Sequence, residues 1–139
     1  MAVLVREMTS ADIPAAINLW SAVDGVELAE GDSPAEVARY LERNAGLSTV
    51  GVDAGEIVAA ALCGHDGRRG FVYHLAVRAD RRGRGIGSEM MLRSLARLKA
   101  EGIVRFLLLV AAENHGGHEF WLREGWEDMP FARPMGFDL

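Results

Sequence analysis

This chain has little of what staples or anchors a protein. It holds one cysteine, Cys63, in 139 residues. A lone thiol builds neither a disulfide framework nor a cysteine-based zinc site, and a reducing cytoplasm is the expected setting. Basic residues do not dominate. Lys and Arg number 15 against 20 Asp and Glu, a net charge of -5. That balance excludes the broad positive field of a nucleic-acid binder. Long apolar runs are missing too, so no membrane helix is expected. The opening Met1–Glu7 is charged too early for a signal peptide. No carboxylate or histidine triad stands at ligand spacing, His115 and His118 included, so no metal is expected.

What is present suits one globular domain spanning 1–139. Half the residues are hydrophobic and a quarter are charged, enough to bury a sizeable core. Hydrophobic spacing orders the elements. Val3–Met8 reads as a strand. Thr9 or Ser10 caps a helix carrying Ile13, Ile17, Trp20 and Val23, with Pro14 in its first turn. An acidic loop, Asp24–Asp32, leads to a helix opened by Ser33-Pro34. Leu47–Val52 and Ile57–Cys63 form a hairpin around Asp53-Ala54-Gly55-Glu56. The tight connection Gly64–Gly70 precedes a fourth strand, Phe71–Arg78. A helix from Ile86 is ended by Gly102. Ile103–Ala111 is a near-continuous apolar run, the pattern of a strand covered on both faces. Asn114 caps a short helix ending at Gly125. Trp126–Leu139 is expected to hold one or two strands. The order β-α-α-β-β-β-α-β-α-β(-β) predicts an α/β fold with a mixed sheet and helices on both sides.

The most informative stretch is Arg81-Arg82-Gly83-Arg84-Gly85-Ile86-Gly87-Ser88. Its glycines strip side chains from a strand-to-helix turn. Several N–H groups then point at one spot, and the new helix adds its positive dipole end. The expected ligand is a pyrophosphate. A dinucleotide fingerprint would need G-x-G-x-x-G after the first strand, and a P-loop would need a lysine. Neither is here. The remaining pattern is Arg/Gln-x-x-Gly-x-Gly, filled by Arg82, Gly85 and Gly87.

With these residues, Leu75–Gly87 resembles the fourth strand and pyrophosphate loop of the GNAT superfamily of acetyl-CoA-dependent N-acetyltransferases. A second block, Asn114, Gly117 and Phe120-Trp121-Leu122-Arg123-Glu124-Gly125-Trp126, is similar to the family's N-x-x-A-x-x-F-Y-x-x-x-G-F. The opening Val5–Asp12 with Leu19-Trp20 resembles the usual N-terminus. The Gly64–Gly70 hairpin resembles that of a bacterial subgroup.

The resemblance implies direct attack of a primary amine on acetyl-CoA in a ternary complex. Main-chain N–H groups from Arg82, Gly83, Arg84, Gly85, Ile86, Gly87 and Ser88 would hold the pyrophosphate, with Arg82 and Arg84 adding charge. Arg78 and Arg81 are candidates for the 3′-phosphate. The pantetheine arm would pair with the edge of the fourth strand at Leu75, Ala76 and Val77, and one of their N–H groups would hold the oxyanion. Asn114 would bond the same arm, cap its helix, or both. Trp121 occupies the place where many relatives carry a tyrosine acid, and an indole N–H is no practical acid. The non-catalytic alternative, an acyl-CoA-binding sensor or partner domain, follows from that substitution.

For the base, the family positions align with Phe71 and Tyr73. His74 has the better chemistry but the wrong strand parity, unless a bulge re-aims it. The bland alternative for His74 is a histidine packed under a helix. His65 and Asp66 read as a turn held by an Asp side chain, and Cys63 as a buried apolar residue. Asp24, Glu27, Glu30 and Asp32 line either a solvated loop or a wall favouring a cationic acceptor, small molecule or peptide. Dimers are common in the family, and the apolar tail with Trp126, Phe131, Met135 and Phe137 permits one.

Overall fold

Val50, Ala60 and Ala76 turn to one side of a sheet, while Ala59, Cys63 and Val72 turn to the other. That alternation is the period of two expected of strands with both faces covered. The computed structural model describes residues 3–139. Met1 and Ala2, the start of the stretch read against a signal peptide, lie outside the described residues. The elements are β1 (Leu4–Glu7), α1 (Ile13–Ala22), α2 (Pro34–Arg43), β2 (Thr49–Asp53), β3 (Glu56–His65), β4 (Gly70–Val77), α3 (Ile86–Ala100), β5 (Phe106–Leu107) and α4 (His115–Arg123). The five strands lie in chain order, antiparallel except for the parallel pair β4–β5.

Helix α1 enters through a 3-10 turn, Ser10–Asp12, where Thr9 N–H and Oγ1 donate to the Asp12 carboxylate. It buries Ile13, Ala16, Leu19 and Trp20. Each of its large apolar side chains contributes about 1.5–3 kcal/mol on leaving water. Together with Val37 of α2 they fill one core against the sheet. Helix α3 fills the other with Ile86, Met90, Met91 and Leu98. Ser33 caps α2 by accepting from Glu36 N–H, in a capping box with Pro34 in the first turn.

Two sequence expectations are corrected. Ile103–Ala111 does not form a long doubly covered strand. Only Phe106 and Leu107 pair, with Gly70 and Phe71, while Val104 and Leu109 stand in solvent. An apolar run shows affinity for burial, not which neighbour will supply it. Trp126–Leu139 forms no strand, and Phe131, Met135 and Phe137 are exposed.

The short β5 shapes the site. Beyond Phe71, β4 keeps β3 on one side and, among the described residues, has no strand on the other. The sheet therefore opens between β4 and the chain that follows β5.

Candidate active site

Strand β4 carries a bulge where it matters. Its register with β3 runs Leu62↔Tyr73 and then Ala60↔Ala76. Two residues, His74 and Leu75, thus oppose Ala61 alone. His74 takes φ +56°, a left-handed value that costs a non-glycine residue about 1 kcal/mol or more. The consequence is a change of parity. Tyr73 meets Tyr40 of α2 edge-on at 6.3 Å, and His74 meets Trp20 of α1 at 5.3 Å. Both side chains share the α1/α2 face, whereas Leu75 and Val77 pack toward α3. The bulge that the sequence left as a condition is present, and it re-aims His74.

His74 is also partnered. Its Nε2 lies 3.0 Å from Asp32 Oδ1, with both side chains largely covered. The other oxygen of Asp32 accepts from Ala29 N–H at 2.9 Å. The acidic loop is therefore divided. Val23, Val26 and Leu28 pack on the core, Asp24, Glu27 and Glu30 face solvent, and Asp32 turns in. Burial raises the phenol of Tyr73 above its ordinary range. Tyr73 therefore keeps its proton at neutral pH. Tyr40 is raised for the same reason.

The free edge of β4 ends at the glycine turn. Arg78 N–H donates to Val58 O at 2.7 Å. By alternation Ala76 N–H also turns toward β3, and that of Val77 turns to the open edge. Arg82 to Gly85 are exposed. Gly83 and Gly85 adopt φ +74° and +77°, with open space where a Cβ would stand. Gly85 is the N-cap of α3 and offers no side-chain cap. The first intrahelical bond is Glu89 N–H to Gly85 O, so the N–H groups of Ile86, Gly87 and Ser88 lie outside the helical ladder. A cluster of free donors at a helix start is an anion site in form. Arg82 spends its Nε on Val77 O at 3.0 Å, which pins the turn to the end of β4. Arg84 is exposed and has no carboxylate partner among the described residues. Ser88 Oγ donates to Glu124 at 2.8 Å. Gly87 is buried, and a Cβ there would sit 3.2 Å from Phe120, so its small size lets α4 approach.

Asn114 is the N-cap of α4, its Oδ1 accepting from Gly117 N–H at 3.0 Å. Its amide nitrogen lies so close to Gly25 that a Cβ there would stand 2.6 Å away. That fits the capping alternative and leaves Nδ2 with no bond to protein among the described residues. Trp121 sits edge-on to both Phe120 and Trp126, each at 5.0 Å, as a packing residue of the α3-side core.

Arg78 and Arg81 are not free for a phosphate. Arg78 pairs with Asp80 and Glu56, and Arg81 with Asp53 and Asp80. These pairs tie the turn after β4 to the β2–β3 hairpin, and nothing in their spacing announced the partners. In the Gly64–Gly70 connection, Asp66 Oδ1 accepts from Arg68 and Arg69 N–H, as expected of a turn. His65 reaches Glu101 at 3.0 Å, away from His74. Cys63 is fully buried, and burial raises its thiol to about 11. A cleft of about 790 Å³ opens beside β4, lined by Phe71, Tyr73, Leu107–Val110 and Trp121 among others; none of residues 82–88 lines it. Sequence reasoning missed Asp32 as the partner of His74, and Glu124 beside Ser88. Four acids fall in one loop, and no local signal separates the one that turns in.

Comparison with known proteins bears on this geometry. Residues 14–126 match the family model described as the acetyltransferase (GNAT) family. The acetyltransferase SG1711 of Sodalis glossinidius is 33% identical over 110 residues, which cover 79% of this chain and 77% of that protein. Among solved structures, Ard1 from Thermoplasma volcanium superposes with TM-score 0.79 at 19% identity, covering 90% of this chain and 82% of that one. The PaiA N-acetyltransferase of Thermoplasma acidophilum, solved in complex with coenzyme A, gives TM-score 0.73 at 14% identity over 88% of each chain.

Proposed function

The chain belongs to the GNAT acetyltransferase family and is an acyltransferase; from that premise we propose that it moves the acetyl group of acetyl-CoA to a primary amine by direct attack in a ternary complex. The observation that carries this reading is the free edge of β4 running into the uncapped start of α3. One element offers an added-strand edge, and the next offers an anion cradle.

In this reading the pyrophosphate lies on the N–H groups of the 82–88 turn, with Arg84 supplying unpaired charge. The amides of the pantetheine arm pair with Leu75 and Val77, and Asn114 Nδ2 donates to the same arm. One of the two strand N–H groups faces the thioester oxygen. A fixed donor where negative charge develops contributes about 3 kcal/mol.

The acceptor arrives as an ammonium. Making an alkylamine neutral at pH 7 costs about 4.6 kcal/mol, from a pKa near 10.4. His74 takes that proton. The amine nitrogen then bonds to the carbonyl carbon, the C–S bond breaks, the thiolate leaves, and the nitrogen sheds its second proton to water as the amide forms. Tyr73, still carrying its phenolic proton, is the donor on the same face, and water is the alternative donor. The exposed acids Asp24, Glu27 and Glu30 favour a cationic acceptor. The exposed tail residues Phe131, Met135 and Phe137 support assembly as a homodimer.

The test is calorimetric titration with acetyl-CoA, followed by CoA-thiol release with spermidine, lysine methyl ester, kanamycin and an alanyl tripeptide. Wild type should bind. Gly85→Asp, which adds a carboxylate and a Cβ at positive φ, should lose at least about tenfold in affinity. Undiminished binding by that variant would remove the phosphate site. Binding without thiol release from any amine would favour the non-catalytic alternative suggested by Trp121.

A further inference from the structure

The pairing of His74 with Asp32 joins two parts of the chain 42 residues apart. One part is a strained bulge on the free edge of β4. The other is the last acid of a connecting loop. Three features show that the contact is built rather than incidental. The His74 side chain keeps 17% of its exposure and Asp32 keeps 15%, so both are mostly shielded from water. Asp32 is held from its far side by Ala29 N–H. The imidazole is held against the indole of Trp20, which is itself fully buried. A positive-φ residue of this kind persists only where its surroundings hold it.

We propose that Asp32 is the positioning residue for His74: it accepts the Nε2 proton and so presents Nδ1 as the lone pair that takes the acceptor's proton. The inference rests on the reading of His74 as base and names the group that makes it one. A carboxylate oxygen can only accept, so Nε2 carries hydrogen whenever the contact is made. Nδ1 has no protein partner among the described residues. When Nδ1 takes a proton, the ring still faces the Asp32 carboxylate 3.0 Å away. Trp20 of α1 is neutral, and Tyr73 and Tyr40 are held as phenols by burial. Glu27 and Glu30 of the loop itself face solvent. Since Asp32 belongs to the loop between α1 and α2, the base is complete only when that loop is seated.

The experiment follows the imidazole by NMR, with His74 assigned through the loss of its signals in His74→Gln. No acceptor is needed. In Asp32→Asn the titration midpoint of His74 should fall relative to wild type. Asp32→Glu, which keeps the charge, should fall less, and it stands in if the asparagine variant does not fold. The acidic limb of kcat/KM with any turned-over amine of the panel should move to lower pH by the same amount. An unmoved midpoint would overturn the role of Asp32 and leave His74 as base untouched. A moved midpoint with an unmoved acidic limb would remove His74 from the reaction, and Asp32 with it.

Discussion

His74 concentrates the residue-scale argument. It has the chemistry of a base at neutral pH, and the bulge gives it a direction that strict alternation would deny. Tyr73, its neighbour on the same face, differs in one respect: burial holds its proton on. The two residues therefore answer differently to substitution. His74→Gln should lower kcat/KM about 100-fold at pH 7 and flatten the acidic limb of the pH profile. Tyr73→Phe should lower kcat without moving that limb. Steady-state rates from pH 5 to 9 separate the two. An unchanged profile in His74→Gln would assign proton removal to water.

Elements are joined here by polar contacts as much as by the core. The start of α1 is the clearest case. Arg6 of β1 grips Asp12 through two bonds of 2.8 and 2.9 Å. Thr9 N–H donates to the same carboxylate at 2.8 Å. The Arg6 guanidinium and these donors hold the Asp12 carboxyl below the usual carboxylate range. A group with a depressed folded pKa contributes stability above its unfolded pKa, about 3.9, and loses it as pH falls through the folded value. Asp12→Asn should therefore cost about 2 kcal/mol at pH 7. The gap from wild type should close in urea melts below about pH 4. A gap that persisted at pH 2 would assign the effect to packing. The same scale explains Arg78 and Arg81. They read in the sequence as candidates for the 3′-phosphate, yet carboxylates from the β2–β3 hairpin and the following turn claim them.

Across the whole molecule, the proposed functions separate along the chain. The well-packed part runs from β1 to α3, with the sheet between two cores. The last residues carry apolar side chains into solvent, among them Phe131 at 83% and Phe137 at 90% exposure. The proposed homodimer would bury this patch. For the proposed homodimer, sedimentation should show a concentration-dependent dimer. Phe131→Asp with Phe137→Asp should shift it toward monomer while leaving acetyl-CoA affinity within about twofold, because neither residue belongs to the 82–88 turn. A wild-type chain that stays monomeric at high concentration would remove the dimer.

How much was legible follows from the range of each interaction. Glycines at 83, 85 and 87, the apolar rhythm of α1 and α3, and the caps at Ser33 and Asn114 act over a few residues, so the sequence determined the turn, the helices and the order of elements as far as α4. Those are choices of backbone conformation, and local chemistry makes them. Tertiary structure alone decided which face His74 takes, which of four loop acids turns inward, which carboxylates occupy Arg78 and Arg81, and where β5 stops. Each of these depends on a partner 20 or more residues away or on competition for a neighbour. The sequence holds both partners, but only the folded sheet sets the distance between them.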